Sequence, residues 1–476
     1  VEWAAKLRTL VLRVAQLMIL GGAEEIGANA CYLELDGTGI LIDAGLHPRL
    51  RTVEAFPDLE ALEGRPVDLL VVTHAHTDHL GGVPFVMRRF PHVRTLMTRA
   101  TRDLSHIMLH NGGKILRSEV TGHVPREALE YYTPEQIELV RESFTATDYT
   151  EVSTVRGYTG RSDVQLSLHY SGHILGSAGV VIEHQGRRYL HTGDVQFVDQ
   201  QVMKGALLPR THADVVITEA TNCASDPVDY VSETKKLAAF INSVTAANGS
   251  VLIPSFALGK TQEILTLLYR LMRKGTIPYL PIYSGGMGVA INKVYDHYCY
   301  AEPVRQPGFE ISDIPQNSLP FRHLSKGDYF KEPSIVVASS GMLSKGTTSY
   351  RLALEWFRQP SFGIAFIGYQ DPTTPGYSVL HSEHQKPFDL AGRTVQRSCR
   401  IERLRFSAHT NREPLVKFIT DVRPSTVVIT HGEPEACDAL ALSVLDRMPG
   451  TRIIIPRKGV AYELSTNLTE QLVTSA

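Results

Sequence analysis

A chain of 476 residues is longer than one hydrophobic core usually serves, which points to two domains or to one domain carrying a large insertion. With 43% apolar and 21% charged residues, 48 Lys plus Arg against 50 Asp plus Glu and a formal net charge of -2, the composition excludes a disordered chain, a collagen-like repeat and a multispan membrane protein. The charge balance also excludes a broadly basic nucleic-acid coat, so a polyanion could be held only in a local cleft with its own cations. Five cysteines, Cys31, Cys223, Cys299, Cys399 and Cys437, stand singly, so neither a disulfide framework nor a thiolate zinc site is expected, and the expected compartment is the reducing cytoplasm.

Residues 7–20 are apolar, but Arg13 and Gln16 interrupt any secretion-signal core, and a buried first strand over 11–20 is expected instead. Short β-branched runs punctuated by glycine predict further strands at 30–35, 39–43, 67–73, 164–170, 179–183, 188–192 and 214–218. Helical periods fall at 80–90, 99–110 and 134–143, the last opened by Thr133-Pro134 with Glu135 in its first turn. From residue 231 the rhythm changes to helix 231–247, strand 250–254, helix 259–274, strand 279–283 and helix 287–299, the pattern of a parallel α/β unit. The polar, Pro-rich residues 303–333 are expected to be irregular and solvated. The chain then reads as strand 401–406, helix 411–421, strand 425–430, helix 434–447 and strand 451–455, with no internal repeat.

The strongest chemical signal is Thr73-His74-Ala75-His76-Thr77-Asp78-His79, which follows the apolar run Val67-Asp68-Leu69-Leu70-Val71-Val72. Where a strand ends, side chains can leave their alternating pleat and converge, so three imidazoles and one carboxylate within six residues can address two neighbouring cations. Imidazole and carboxylate suit Zn(II), and also Mn(II) or Fe(II), whereas the lack of thiolates argues against a closed structural zinc site. One loop supplies too few ligands for two cations. His173, Asp194 and His431, each beside an apolar run and flanked by glycine, are the candidates that complete the set. His106 and His110 have the i, i+4 spacing of a helical metal pair, but no Glu follows His106, and they read as a helix face near the cleft. Met342 and Phe256 read as core packing. Lys235, Lys236, Arg270, Arg273 and Lys274 read as solvated helix faces.

Further motifs follow in order: Ile217-Thr218-Glu219-Ala220-Thr221, Leu252-Ile253-Pro254-Ser255-Phe256-Ala257-Leu258-Gly259-Lys260, Ser339-Ser340-Gly341-Met342-Leu343, Gly368-Tyr369-Gln370, Phe406-Ser407-Ala408-His409 and Thr430-His431-Gly432-Glu433. Together with the histidine loop, this series resembles the metallo-β-lactamase superfamily and, within it, the β-CASP ribonucleases related to the cleavage and polyadenylation endonuclease. The resemblance implies an αββα metallo-β-lactamase sandwich with an inserted β-CASP α/β domain, divided as 1–221, 222–400 and 401–476. It implies that His74, His76 and His173 bind one metal, that Asp78, His79 and His431 bind the other, and that Asp194 bridges them. Asp43 would orient a ligand imidazole. His409 would be the general acid, with Glu219 holding it in position.

The same resemblance implies two Zn(II), with Mn(II) as the alternative, and hydrolysis of single-stranded RNA to 5′-phosphate and 3′-hydroxyl ends. Internal cleavage is expected over 5′-3′ exonuclease action, because Thr410-Asn411-Arg412-Glu413 departs from the continuation of 5′-end-dependent members. His431 favours RNA over DNA, since DNA-acting members carry an apolar residue there. Lys260 stands where an arginine is common and loses the bidentate fork suited to phosphate. No membrane partner is expected, and homodimerisation stays open. The competing readings are a thioester or lactone hydrolase sharing the first metal motif and a metal-free RNA-binding scaffold.

Overall fold

The computed structural model describes residues 15–50, 53–118 and 129–464, so the part of the expected first strand before residue 15 lies outside the described residues. Two seven-stranded sheets face each other. The first runs in the order Ala461–Glu463, Gln16–Gly21, Ala30–Leu35, Thr38–Ile42, Leu69–Val71, Arg94–Thr98 and Phe144–Thr147. The second runs Arg452–Ile454, Thr426–Thr430, Val215–Glu219, Arg187–His191, Ala178–His184, Val164–Tyr170 and Ser153–Val155.

Alternation explains which sides meet. Leu17, Ile19, Leu33, Ile40 and Val71 of the first sheet pack against Leu166, Leu168, Val180, Ile217 and Val428 of the second. The opposite faces carry Met18, Tyr32, Leu41 and Leu70, covered by Val83, Val86 and Leu104, and Val181, Val216 and Val427, covered by Leu415, Phe418 and Leu440. Helices on both outer faces of two packed sheets make the expected αββα sandwich. Val215–Glu219 and Thr426–Thr430 are buried along their whole length, as parallel strands covered on both faces must be.

Between the second sheet's strands Val215–Glu219 and Thr426–Thr430 the chain leaves to build a six-stranded sheet, Asn317–Ser318, Ile282–Ser284, Ile335–Ala338, Val251–Pro254, Gly363–Phe366 and Arg400–Arg403, in which every neighbouring pair is parallel. One face packs on Tyr329, Leu352 and Trp356. The other shares a continuous apolar cluster with the sandwich, where Ile174, Leu175 and Met203 meet Leu265, Ile291 and Tyr295. A parallel sheet places its loops at the carboxyl ends of its strands, and the loop after Val251–Pro254 reaches the sandwich there.

Several elements differ from the sequence reading. The helix expected over 80–90 is two, Thr77–Leu80 and Val83–Arg89, parted at Gly81-Gly82, and the one over 99–110 continues as Arg99–Ser118. Strands Arg94–Thr98, Ile335–Ala338 and Gly363–Phe366 had no expectation, because short strands buried on both faces show little alternation to read. Residues 303–333 are less solvated than expected: they form three single-turn helices and a short strand, with Ile311, Leu319, Leu324 and Tyr329 buried. Arg270 donates to Gln201 O at 2.9 Å rather than facing water, and Phe256 is 39% exposed rather than part of a core. Among the described residues no helix is long and apolar enough to cross a membrane.

Candidate metal centre

The histidine loop leaves the strand Leu69–Val71 at the seam between sandwich and insert. Its first anchor is Asp43, whose carboxylate accepts from Thr73 N at 2.7 Å and from the Thr73 hydroxyl at 2.8 Å. Asp43 itself has φ 63°, a left-handed conformation held by its N–H donating to Val71 O at 2.7 Å. Two residues on, Gly45 lies so close under the loop that a Cβ there would stand 1.7 Å from Asp78 O, so only glycine fits.

Outer hydrogen bonds decide which nitrogen of each imidazole faces inward. Because the Thr73 hydroxyl donates to Asp43, its oxygen accepts from His74 Nδ1 at 3.1 Å, leaving His74 Nε2 directed inward. His173 Nδ1 donates to Ala408 O at 3.0 Å, His76 Nε2 reaches Leu258 O at 3.4 Å, and His79 Nδ1 donates to Asp43 at 2.7 Å. The inward atoms then converge: His76 Nδ1 lies 3.1 Å from His74 Nε2 and 3.0 Å from His173 Nε2. Nitrogens bound to zinc at about 2.0–2.1 Å in a tetrahedron are separated by roughly 3.3 Å, so these three need only small movements to hold one cation.

Asp194, 3% exposed, stands between the two halves. Its Oδ2 is 3.6 Å from His74 Nε2, 3.6 Å from His173 Nε2 and 3.3 Å from His79 Nε2, while Oδ1 is 3.4 Å from His431 Nε2. His74, His76, His173 and Asp194 form one group able to hold an ion, and Asp78, His79 and His431 form a second beside it. Burial, outweighing the attraction of Asp194, pushes the His74 and His173 imidazoles well below their ordinary range, the neutral state a ligand needs. His79 is buried too, but Asp194, Asp43 and Asp78 outweigh that and hold it well above the ordinary range.

His409 approaches from the chain that returns out of the insert. Its Nδ1 is 2.8 Å from Glu219 Oε2 and 3.9 Å from Asp194 Oδ2. Burial opposes its charge, yet the two carboxylates raise it to about 9. Glu219 is itself fixed by Val195 N at 2.7 Å. The turn carrying His409 is tied down by Asn222, which donates to His409 O at 3.1 Å, by Lys260, whose Nζ donates to Phe406 O at 2.6 Å, and by the Tyr230 hydroxyl on Ser407 O. Lys260 is thus spent on the backbone of this turn, and burial lowers it to about 8.

The tertiary structure therefore brings together His74, His76, Asp78, His79, His173, Asp194 and His431, with Asp43, Glu219 and His409 around them. Sequence reasoning missed Asn29, a buried residue whose side-chain nitrogen lies 3.0 Å from His79 Nε2 and 2.9 Å from His431 Nδ1. A lone asparagine before a strand carries no pattern that could have marked it.

An αββα sandwich with imidazoles and carboxylates gathered in two adjoining groups at its strand ends is the architecture of metallo-hydrolases of the lactamase type. Residues 24–232 match the metallo-beta-lactamase superfamily, residues 261–379 the Beta-Casp domain and residues 394–456 the Zn-dependent metallo-hydrolase RNA specificity domain. The chain is 30% identical over 469 residues to the transcription termination factor FttA of Pyrococcus abyssi, covering 89% of this chain and 68% of that protein. It is 30% identical over 437 residues to the cleavage and polyadenylation specificity factor 73 of Drosophila melanogaster and 26% identical over 470 residues to the endoribonuclease YSH1 of Eremothecium gossypii, covering 90% and 94% of this chain. It spans 61% and 59% of the length of those two proteins. A protein of unknown function from Enterococcus faecalis V583 shares the fold, with a TM-score of 0.55 at 13% identity, over 94% of this chain and 100% of the other. The chain belongs to the metallo-β-lactamase superfamily, a metal-dependent group, and within it to the β-CASP branch.

Proposed function

We propose that this chain hydrolyses phosphodiester bonds of single-stranded RNA at internal positions, leaving 5′-phosphate and 3′-hydroxyl ends. The observation that carries the reading is His409 held 2.8 Å from Glu219 and 3.9 Å from Asp194, directly beside two groups of inward-facing metal donors. His74, His76 and His173 would hold one cation and Asp78, His79 and His431 the other, with Asp194 shared. The donor set suits Zn(II) first and Mn(II) second. Bound there, the pair of cations supplies Lewis acidity that neutralises charge on the phosphate and makes water a competent nucleophile near neutral pH.

The chain's own groups do the rest. Asp43 fixes the His74 and His79 rings through Thr73 and Nδ1. Glu219 occupies His409 Nδ1, so the other ring nitrogen is left to deliver its proton to the departing 3′-oxygen, and the Glu219 and Asp194 carboxylates beside the ring favour its protonated form. The match to an RNA specificity domain and the endoribonuclease named among the relatives support RNA as the substrate class. The division at 221/222 and 400/401 belongs to the same proposal; the strand Arg400–Arg403, the last of the insert's sheet, straddles the second crossing. So does a cytoplasmic setting, in keeping with five free, buried cysteines.

The test uses end-labelled single-stranded RNA bearing a 5′-triphosphate, monophosphate or hydroxyl, beside DNA of the same sequence. Internal fragments from RNA, indifferent to the 5′ group and absent with Asp194→Ala, are expected. Mononucleotides that depend on a 5′-monophosphate would replace the internal mode by an exonuclease, and thioester hydrolysis without RNA cleavage would overturn the reading.

A further inference from the structure

His106 and His110 occupy successive turns of the helix Arg99–Ser118, with ring centroids 4.7 Å apart, and the sequence offers them no third ligand nearby. Tertiary structure supplies one. The helix Pro134–Glu142 lays Glu138 alongside, placing its Oε1 2.8 Å from His110 Nε2 and 3.2 Å from His106 Nδ1. The carboxylate is oriented from behind, because Arg141 Nε donates to its other oxygen at 3.0 Å, so Oε1 is turned to the two imidazoles. His106 Nδ1 is itself buried and without a hydrogen-bond partner: it stands close to Oε1 but not in a geometry that forms the bond. An unpartnered, inward imidazole nitrogen beside a second imidazole and a fixed carboxylate is what a cation would satisfy.

We propose that His106, His110 and Glu138 form a third metal site, separate from the buried centre, that takes Zn(II). The three donor atoms lie within 4.8 Å of one another, with Oε1 at 2.8 Å and 3.2 Å from the two nitrogens, so side-chain movements of well under a rotamer change would bring all three to bonds of about 2.0–2.2 Å on one ion. Two histidines and a carboxylate are a ligand set of borderline softness, which selects Zn(II) over the hard cations Mg(II) and Ca(II). The side chains are 43%, 24% and 40% exposed, and a cavity of about 360 Å³ opens beside His106 and Arg141, so water completes the coordination and an ion can enter without unfolding. Binding would clamp the two helices together. One turn before His106, Asp103 accepts from the Tyr298 hydroxyl of the insert at 2.7 Å, so the clamped helix is also one that holds the insert in place.

The experiment is equilibrium dialysis of the full untagged chain against rising Zn(II), with protein-bound zinc counted by mass spectrometry. The wild type is expected to take up one equivalent more than His106→Ala/His110→Ala, and Zn(II) is expected to raise the melting temperature of the wild type further than that of the double variant. Only the difference is read, so the result does not depend on how many ions the buried centre holds or on whether it cuts RNA. Glu138→Gln keeps the side-chain volume and guards against a folding defect: it is expected to bind the extra equivalent at least about tenfold more weakly. Equal uptake by the wild type and both variants would overturn the proposal.

Discussion

Asp194, fully buried in the metal centre, and Glu302, half-buried in the seam between sandwich and insert, are both carboxylates partly or wholly withdrawn from water, and their proton affinities move in opposite directions. Burial raises both. At Asp194 the facing His79, His431 and His409 outweigh it and hold the carboxyl well below the usual range. At Glu302 the chief polar neighbour is the Tyr149 hydroxyl, which donates at 3.0 Å, and burial wins, lifting the group to about 7. The neighbours, not the depth alone, decide whether proton affinity at a withdrawn acid falls or rises.

Breaking the first environment should have the largest effect. Asp194→Ala removes the carboxylate proposed to be shared by both donor groups, and RNA cleavage is expected to fall by on the order of 10³-fold or more, together with loss of bound metal measured by elemental analysis. Retained metal with normal turnover would show that the two groups do not act as one centre. His409→Ala leaves all seven proposed ligands in place, so its expected signature is a fall in kcat of about 10² to 10⁴-fold with metal content unchanged. Glu219→Gln should cost less, about 10 to 100-fold, because the imidazole survives and loses only its orienting anion.

Glu302→Gln sharpens the other half of the comparison and should be the smallest effect. The folded group binds its proton up to about 7, whereas a free glutamate carboxyl loses it near 4.5, so the native state holds the extra proton between those limits. The stability this gives is fully present below about pH 4.5 and is lost as pH rises through about 7. Glutamine stays neutral throughout, so the variant is expected to gain on the wild type as pH rises, by about 1–2 kcal/mol at pH 8 after allowance for partial solvent contact, and by only about a quarter of that near pH 5. Denaturant titrations at the two pH values check this. A pH-independent difference would mean that Glu302 is ionised in the folded protein.

The two histidine clusters show where local reading stops. The loop from His74 to His79 declared itself because four donors crowd into one strand end, a statement about neighbours in the chain. His173, Asp194 and His431 could be nominated from their glycine-flanked strand ends, and the family resemblance joined them into a set, but no spacing in the chain measures the 3.0–3.6 Å separations that make them one centre. Asn29, and Glu138 beside His106 and His110, were not legible at all, because a single polar residue on a strand end or helix face has no periodic signature.

The amino-acid order by itself determined the kinds of most elements, the donor chemistry and the switch from sandwich to parallel insert, since hydrophobic period, turn residues and ligand type are properties of short stretches. Only the tertiary structure decided which nitrogen of each imidazole points inward, which carboxylate faces imidazoles that lower its proton affinity, and that two helices bring a third set of donors together. Those outcomes depend on distances between residues up to hundreds of positions apart, such as the 2.9 Å between Asn29 and His431, and such distances are set by the packing of whole layers.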